Sequence, residues 1–349
     1  MSEKLIEIDG SMGEGGGQIL RNAVALSAVL LKPIRVYNIR AKRSNPGLRP
    51  QHLTGVKAVA ALSSAEVSGL KVGSMEIVFK PRRRRGGRFT FNVGTAGSIT
   101  LALQTIIPLA FGISKPLSIN LGGGTDVKWS PTWNYFKDVF LHILNKIGVD
   151  VRADLVRRGF YPKGGGEANV DIYPAKDPES LCLEKQRYEK IDGVIAVSKL
   201  REDIPRRIKH SIIKLCLEKS IPCQIYIDRD DESPSEGVSV TLWSSSSDSR
   251  IGSSEIGERG LPSEKLGRMM FESIVKEMES GASVDIHLAD QILVYLAYIS
   301  SRYGGKSYFY VREITNHTRT NMWLIEKFLP VKMSVRRERE LYRIEIKGI

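Results

Sequence analysis

Residues 5–40 read LIEIDGSMGEGGGQILRNAVALSAVLLKPIRVYNIR. Apolar residues alternate in LIEID and again in IRVYNIR, which is typical of half-buried strands. Between these segments, apolar residues recur at helical spacing from about residue 16 to residue 31. A second helix near residues 51–63 follows, and then a strand pair that ends at EIVFK (76–80). The sequence therefore predicts a β-α-β-α-β-β unit.

The same order of elements recurs twice more along the chain. The second copy has strands RFTFNVG, LSINL, VDVRADLV and EANVDIY, with helices predicted over 97–111 and 131–147. The third has strands SVDIH, SYFYVRE, VKMSVRR and YRIEIK, with helices over 288–301 and 318–328. Each unit places two helices on one face of a small sheet, so several units must pack their helices inward to bury them. We predict an α/β fold with a large domain of three βαβαββ units.

Residues 181–280 have a different order of strands and helices from the repeats, and this order predicts a smaller inserted domain. They contain strand GVIAVSKL, a helix over 203–219, strands CQIYID and GVSVTLW, and a helix over 263–279. This order predicts a βαββα insert between the second and third units, so that the large domain comprises residues 1–180 and 281–349. The polar segment SSSSDSRIGSSE predicts a mobile loop without a catalytic role.

Composition narrows the class of protein. Hydrophobic residues make up 42% of the 349 residues, which is enough for a sizeable core, and the formal net charge is +13. Such an excess of positive charge favours a polyanionic partner. No apolar signal segment or membrane span is evident, so we predict a soluble, cytoplasmic protein. The sequence leaves the oligomeric state open, a homo-oligomer included.

The glycine-rich turn DGSMGEGGGQILR (9–21) is the first candidate site. Consecutive glycines before a helix let backbone N–H groups approach an anion. The turn has neither the G-K-[ST] of a P-loop nor the third glycine of a dinucleotide fingerprint, and close packing of helix on sheet would explain it equally well. Glu14 lies within the glycine run, where its carboxylate could bind the magnesium that accompanies a nucleotide.

Basic side chains cluster around this turn. Arg21, Arg40, Arg43 and His52 all follow the first two strands at short distance, and guanidinium groups suit phosphate oxygens. A solvated basic loop is the preferred interpretation of Arg49 and of the run Arg82–Arg85, which would attract RNA by charge alone. His317 begins a helix in TNHTRTNMWLIEKFLP, where it is either a structural residue or a nucleophile whose tautomer another group fixes.

Seven segments in one order resemble the RNA 3'-terminal phosphate cyclase family over nearly the whole chain. They are GEGGGQILR (13–21), R-x-x-R-x-x-P-G-L-R-x-Q-H-L (40–53), GTAGSITLALQ (94–104), GGTD (123–126), RGFYPKGGGEA (158–168), HLADQ (287–291) and H-x-x-T-N (317–321). The resemblance implies three βαβαββ units with an inserted α/β domain. It also implies ATP-dependent conversion of an RNA 3'-phosphate into a 2',3'-cyclic phosphate through a histidine–AMP intermediate.

The same resemblance assigns roles to single residues. His317 corresponds to the nucleophile, and Glu14 to the ligand of Mg²⁺ or Mn²⁺. The ATP site would be lined by Gln104, His287, Leu288, Ala289, Asp290 and Gln291. Arg21, Arg40, Arg43 and His52 would bind phosphates of ATP or of the RNA end. Pro131 would pack on adenine, or would simply be the first residue of its helix.

Two alternatives remain at this point. A non-catalytic, cyclase-like RNA-binding protein of ribosome assembly would lack the histidine of H-x-x-T-N, which this chain keeps at His317. An enolpyruvyl transferase shares the repeated unit but has six copies. His287 departs from the family pattern, because some relatives have tyrosine at this position, and its imidazole also makes it a rival nucleophile.

Overall fold

The computed structural model describes residues 5–94 and 96–349. Its first unit has the predicted order of elements. The elements are β1 (Ile6–Asp9), α1 (Gly17–Leu30), β2 (Ile34–Tyr37), α2 (Pro50–Ser63), β3 (Glu66–Ser68) and β4 (Ile77–Lys80). The strands form a sheet in the order β1-β2-β4-β3, in which only β1 and β2 are parallel. This parallel pair requires a crossover, which α1 provides.

The second unit repeats this topology. It comprises β5 (Gly87–Asn92), α3 (Ile99–Ile106), β6 (Leu117–Gly123), α4 (Leu141–Lys146), β7 (Val151–Arg157) and β8 (Gly166–Ile172). A 3₁₀ turn at Ile107–Phe111 extends α3, and a π-helical turn at Tyr135–Phe140 leads into α4. The sheet order β5-β6-β8-β7 is equivalent to that of the first unit.

The insert has one strand more than the predicted βαββα order. Its elements are β9 (Ile191–Ser198), α5 (Asp203–Glu218), β10 (Cys223–Arg229), β11 (Gly237–Ser245), β12 (Arg250–Ile256) and α6 (Ser263–Ser280). The serine-rich segment predicted as a mobile loop contains β12, which pairs antiparallel with β11. Ser253 of this strand is buried and has a partner, since its Oγ lies 2.7 Å from Ser273 Oγ of α6.

The third unit lacks the strand predicted at SVDIH. It consists of α7 (Ile286–Arg302), β13 (Lys306–Val311), α8 (Asn316–Glu326), β14 (Val331–Glu338) and β15 (Leu341–Gly348), with sheet order β13-β15-β14. Ser283 and Val284 each donate a backbone hydrogen bond to Tyr310 O, but the chain then turns into α7. Asp285 caps that helix, since its Oδ1 accepts from the N–H groups of His287 and Leu288. The residues needed for a strand are thus part of a helix start.

The helices of the three units face inward and share one core. Helix α1 contacts α2, α3 and α8, and every residue from Ala23 to Val29 is buried. A helix buried on all sides must be apolar all round, which explains the run AVALSAV. A second core lies in the insert, between its sheet and helices α5 and α6. The domain boundaries at residues 180 and 281 stay a prediction. No helix among the described residues is long and apolar enough to span a membrane.

Candidate active site

A cavity of about 560 Å³ opens where three helices begin. Gln18, His287 and His317 are each the second residue of their helix, and all three line the cavity. The loop at 127–132 and strand β12 of the insert form the opposite wall. Helix N-termini carry partial positive charge and unpaired N–H groups. The cavity is therefore suited to an anionic ligand.

His317 has a partner at each ring nitrogen. Its Nδ1 lies 2.6 Å from Gln18 Oε1, and its Nε2 lies 3.0 Å from Glu14 Oε2. The side chain remains 44% exposed, so a ligand in the cavity can reach the ring. Burial is the largest influence on the pKa of His317 and lowers it; Glu14 raises that pKa, while Arg21, Arg43 and His287 lower it. Burial thus favours the neutral imidazole, and the Glu14 carboxylate favours the protonated one.

Asp290 orients the glutamine that holds His317. Gln18 Nε2 donates to Asp290 Oδ2 at 2.9 Å, so the other end of the amide, Oε1, faces the histidine. An amide oxygen can only accept, and the Nδ1 of His317 therefore carries the proton. In the neutral ring the lone pair is then on Nε2; the contact of Nε2 with the Glu14 carboxylate at 3.0 Å needs a proton on Nε2, so that contact must break before Nε2 can attack. The chain Asp290–Gln18–His317 thus makes Nε2 the nucleophilic atom.

Burial raises the pKa of Asp290 to about 7. The hydrogen bond from Gln18 and the charge of Arg21 oppose this rise, while Asp285 and Glu14 add to it. Burial also lowers the pKa of Arg21 to about 10, which leaves the guanidinium protonated at neutral pH. Arg21 is therefore a permanent cation in the wall of the cavity.

An amide pair closes another part of the cavity. Gln104 of α3 donates through Nε2 to Gln291 Oε1 of α7 at 2.8 Å. Leu101, Val294 and Tyr295 provide apolar surface nearby in the lining. A wall of this kind combines apolar contact with amide groups that can exchange hydrogen bonds with a base edge.

Two glycines of the first turn have a packing role. A Cβ on Gly13 would clash with Thr320 Oγ1 of α8, and the φ of Gly13 is +56°. A Cβ on Gly17 would clash with His52 Nε2 of α2. The glycine run therefore lets the start of α1 approach both neighbouring helices. This supports the packing interpretation for these positions and leaves anion binding by the remaining turn a prediction.

The family model described as RNA 3'-terminal phosphate cyclase matches residues 12–335. The chain belongs to this family. A protein of Nitrosospira multiformis named RNA 3'-terminal phosphate cyclase is 43% identical over 98% of this chain and 96% of its own length. A protein of the same name from Methanosarcina mazei is 41% identical over 98% of this chain and 100% of its own length. Another, from Pyrobaculum neutrophilum, is 40% identical over 99% of each chain.

Most residues that the resemblance to the cyclase family assigned to the site do meet in the cavity. The members of the lining are Arg21, Gln104, Pro131, His287, Asp290, Gln291 and His317. Glu14 adjoins them through His317. Pro131 is not the first residue of its helix, because Thr132 precedes the helical residues and caps them by accepting from Tyr135 N. Their binding roles stay predictions.

The structure corrects the placement of Leu288 and Ala289. Both side chains are fully buried in the core of the repeats. Their backbone N–H groups are bonded to Oδ1 and O of Asp285, respectively. In HLADQ, helical spacing turns His287, Asp290 and Gln291 towards the cavity and the two apolar residues away from it.

Three of the predicted phosphate ligands lie outside the cavity lining. Arg40 Nη1 donates to the carbonyls of Asn45 and Gly47 at 2.6 and 3.0 Å and so braces its own loop. His52 is buried, with Nδ1 accepting from Arg49 N; burial and then Arg21 lower the pKa of His52 to about 3. A neutral, enclosed imidazole is no phosphate-binding cation. Arg43 contacts the site only through Glu14, at 3.4 Å.

Several lining residues were not found from the sequence. Gln18 and Asn22 belong to α1, and Asn321 belongs to α8 and donates to Asp290 O. Ser254 and Glu255 come from β12, which was predicted as a loop. Trp129 also lines the cavity, and its position shortly after the GGTD segment was the only indication of this in the sequence. Contacts across hundreds of residues leave no periodic pattern.

Proposed function

We propose that this protein uses ATP to convert an RNA 3'-phosphate end into a 2',3'-cyclic phosphate, through AMP bound covalently to His317. The observation that carries the proposal is the chain Asp290–Gln18–His317 in the cavity wall, which holds a proton on Nδ1 and leaves Nε2 as the attacking nitrogen once its contact with Glu14 is broken. Membership in the cyclase family supports the substrate class.

In the first step, Nε2 of His317 attacks the α-phosphorus of ATP. A P–N bond forms, and the bond from the α-phosphorus to the bridging oxygen breaks, so that pyrophosphate leaves with the electron pair. The ring keeps its proton on Nδ1, and the hydrogen bond from Nδ1 to Gln18 Oε1 stabilises the positive charge that develops on the ring. Arg21 and the N-termini of α1 and α8 stabilise negative charge on the phosphates.

The next steps transfer AMP and close the ring. An oxygen of the RNA 3'-phosphate attacks the α-phosphorus, and the P–N bond breaks and returns its electrons to His317. The neighbouring 2'-hydroxyl then attacks the RNA phosphorus, loses its proton, and releases AMP. A phosphomonoester is a poor electrophile with an oxide leaving group, whereas AMP is a good leaving group and the hydroxyl is already positioned.

The residues present fit a divalent metal held mainly by substrate phosphates. Among residues 5–94 and 96–349, no cluster of three or more His, Cys, Asp or Glu side chains could hold a metal by itself. Mg²⁺ commonly takes one or two carboxylates and completes its shell with phosphates and water. Glu14 would provide such a carboxylate, and the metal would neutralise phosphate charge at the α-phosphorus. We expect Mg²⁺ or Mn²⁺ to serve.

His317 is preferred to His287 as the nucleophile. The ring of His317 has both a tautomer-fixing partner and a carboxylate neighbour. His287 is exposed in the first turn of α7 and is close enough to His317 to lower its pKa. We assign His287 to nucleotide contact. The cytoplasmic location and any homo-oligomer also stay predictions.

The test is covalent labelling with ATP that carries a label on the α-phosphate, in the presence of Mg²⁺. The wild-type protein is expected to retain labelled AMP and to cyclise an RNA 3'-phosphate, and His317→Ala should lose both. His287→Ala is the matched comparison and should still form the labelled adduct, although more slowly, because one contact with the nucleotide is lost. Labelling that persists in His317→Ala and disappears in His287→Ala would reassign the nucleophile. A folded wild-type protein that binds RNA without labelling would favour the non-catalytic ribosome-assembly function.

A further inference from the structure

One large aromatic side chain in the cavity wall is almost entirely in solvent. Trp129 is 94% exposed, and its backbone φ is +60°. Among the exposed large hydrophobic side chains of residues 5–94 and 96–349, Trp129 alone lines the cavity. A bulky residue rarely adopts positive φ, and such conformations persist only where the surroundings impose them. Both observations indicate that this ring is held outward for a purpose other than packing.

The backbone around Trp129 is firmly anchored. Before it, the buried Asp126 accepts from Arg158 Nη1 at 3.1 Å and from Ser239 Oγ at 2.8 Å. After it, Pro131 O accepts from Thr100 Oγ1 at 2.8 Å. These contacts join the loop to the second unit and to the insert. The exposed ring is thus presented by a rigid frame.

The same anchoring continues on both sides of the ring. Ser130 Oγ donates to Val127 O at 2.7 Å across the turn that contains Trp129. Thr132 Oγ1 lies 2.7 Å from Thr241 Oγ1 of β11. Lys128 Nζ lies 5.9 Å from the Trp129 ring centroid and 2.6 Å from Glu258 Oε1 of the insert. A cation is therefore present beside the aromatic surface.

We propose that Trp129 is a stacking platform for a base at the 3' end of the RNA substrate. An indole face stacks on any nucleobase, and a neighbouring cation favours the phosphate backbone that accompanies the base. The backbone of Trp129 is anchored and its side chain has only two torsions, so the ring loses little conformational freedom when the base arrives. The proposal rests on the proposed function, because it assigns the RNA of that reaction to this part of the cavity wall.

RNA explains the exposure of the ring better than the adenine of ATP does. A mononucleotide fits within the cavity, where Gln104, Gln291 and the apolar lining offer an enclosed base site. A polynucleotide must keep most of its chain in solvent while its 3'-phosphate reaches His317. A base next to that phosphate is therefore still near the rim, where an outward-facing ring can stack on it.

The experiment separates the ATP step from the RNA step in Trp129→Ala, Trp129→Phe and the control Tyr303→Ala. Tyr303 is 55% exposed and follows the last residue of α7, so it lies about 25 Å along that helix from His287. Trp129→Ala is expected to label with AMP at the wild-type rate and to raise the KM for an RNA 3'-phosphate by about five- to one-hundred-fold. Trp129→Phe should recover most of the loss, and Tyr303→Ala should not change the KM.

An RNA series tests the contact itself. Oligonucleotides with one abasic residue at the first, second or third position from the 3' end are compared in wild type and Trp129→Ala. At one of these positions, loss of the base should raise the wild-type KM to the level of the variant and should not raise the KM of the variant further. Such non-additivity identifies base and ring as direct partners.

Each outcome bears on one claim. Equal KM values for wild type and Trp129→Ala, in proteins that label normally, would overturn the stacking platform and leave the proposed function intact. Slower AMP labelling of Trp129→Ala with an unchanged KM for RNA would assign the ring to adenine instead. Failure of the wild-type protein to form any AMP adduct would instead count against the proposed function.

Discussion

The two walls of the cavity are built differently. On the helix wall, Glu14, Gln18, Asp290 and His317 stand at helix starts and are joined by hydrogen bonds or ion pairs. On the loop wall, Trp129 extends into solvent from an anchored turn. Groups that are held in one tautomer and one orientation suit bond-making, whereas an open aromatic surface suits binding of a variable polymer. We infer that the helix wall determines the rate of reaction and the loop wall determines the affinity for RNA.

Gln18→Leu should have the largest effect of the substitutions that test this division. Leucine cannot accept a hydrogen bond from the Nδ1–H of His317, so the ring proton can move to Nε2. We expect AMP labelling to slow by about 100-fold, with the KM for RNA unchanged. The measurement is the single-turnover rate of labelling with ATP.

A matched control for this change lies one turn further along α1. Asn22 is another cavity-lining amide, bonded to Asn321 rather than to the histidine. Asn22→Leu should slow labelling by less than about tenfold. Equal losses in the two variants would show that Gln18 has no special role in orienting His317.

The pH dependence of labelling should be the next largest effect. Asp290 has its pKa raised to about 7, and its ionised form can only accept hydrogen bonds, so it holds Gln18 with Nε2 towards the carboxylate. Protonation of Asp290 would let the amide turn and donate to Nδ1, which moves the ring proton to Nε2. The labelling rate should rise roughly tenfold from pH 6 to pH 8. Burial lowers the pKa of His317, which moves its own titration towards the acid end of this range.

Asp290→Asn provides the control for that profile. Its amide oxygen can still accept from Gln18 but does not titrate, so the rise between pH 6 and pH 8 should disappear. The burial that raises the pKa of Asp290 also destabilises the ionised folded protein. The variant should therefore gain about 1–3 kcal/mol in the free energy of unfolding at pH 8, and this gain should shrink towards pH 4. An unchanged profile would exclude Asp290 as the titrating group.

Lys128→Ala should have the smallest effect and concerns the loop wall. The ion pair with Glu258 is largely exposed, and such pairs contribute less than about 1 kcal/mol to stability. We expect the KM for RNA to rise about two- to threefold at low salt and the labelling rate to stay constant. A large loss of labelling in Lys128→Ala would contradict the division between the two walls.

Local pattern predicted most of the fold. The helices α1, α2, α7 and α8 were expected within two residues of their observed starts, because their apolar spacing is regular. The errors have local causes as well. SVDIH alternates like a strand but contains Asp285, which caps α7. The segment with β12 was predicted as a loop because serine is rare in buried strands. Ser253 of this strand has its hydrogen-bond partner, Ser273, 20 residues further along the chain.

The candidate site was predictable only in part. His317, Glu14 and Asp290 were named because motif matching needs no coordinates. The same matching also named Leu288, Ala289, Arg40 and His52, which the structure places in the core or in the bracing of a loop. A motif identifies residues that matter to a family and does not say which of them face the cavity.

By itself, the sequence determined the repeated unit, the inward-facing helices and the identity of the histidine at the start of α8. The first two follow from periodicity and spacing, which are properties of neighbouring residues, and the histidine follows from the match of its segment to the cyclase family. Only the tertiary structure decided that Gln18 lies between Asp290 and His317, residues 272 and 299 positions further along the chain. It also decided that Trp129 stays in solvent, since hydrophobicity alone would bury it. Both results depend on how separate units pack, and no local pattern records that packing.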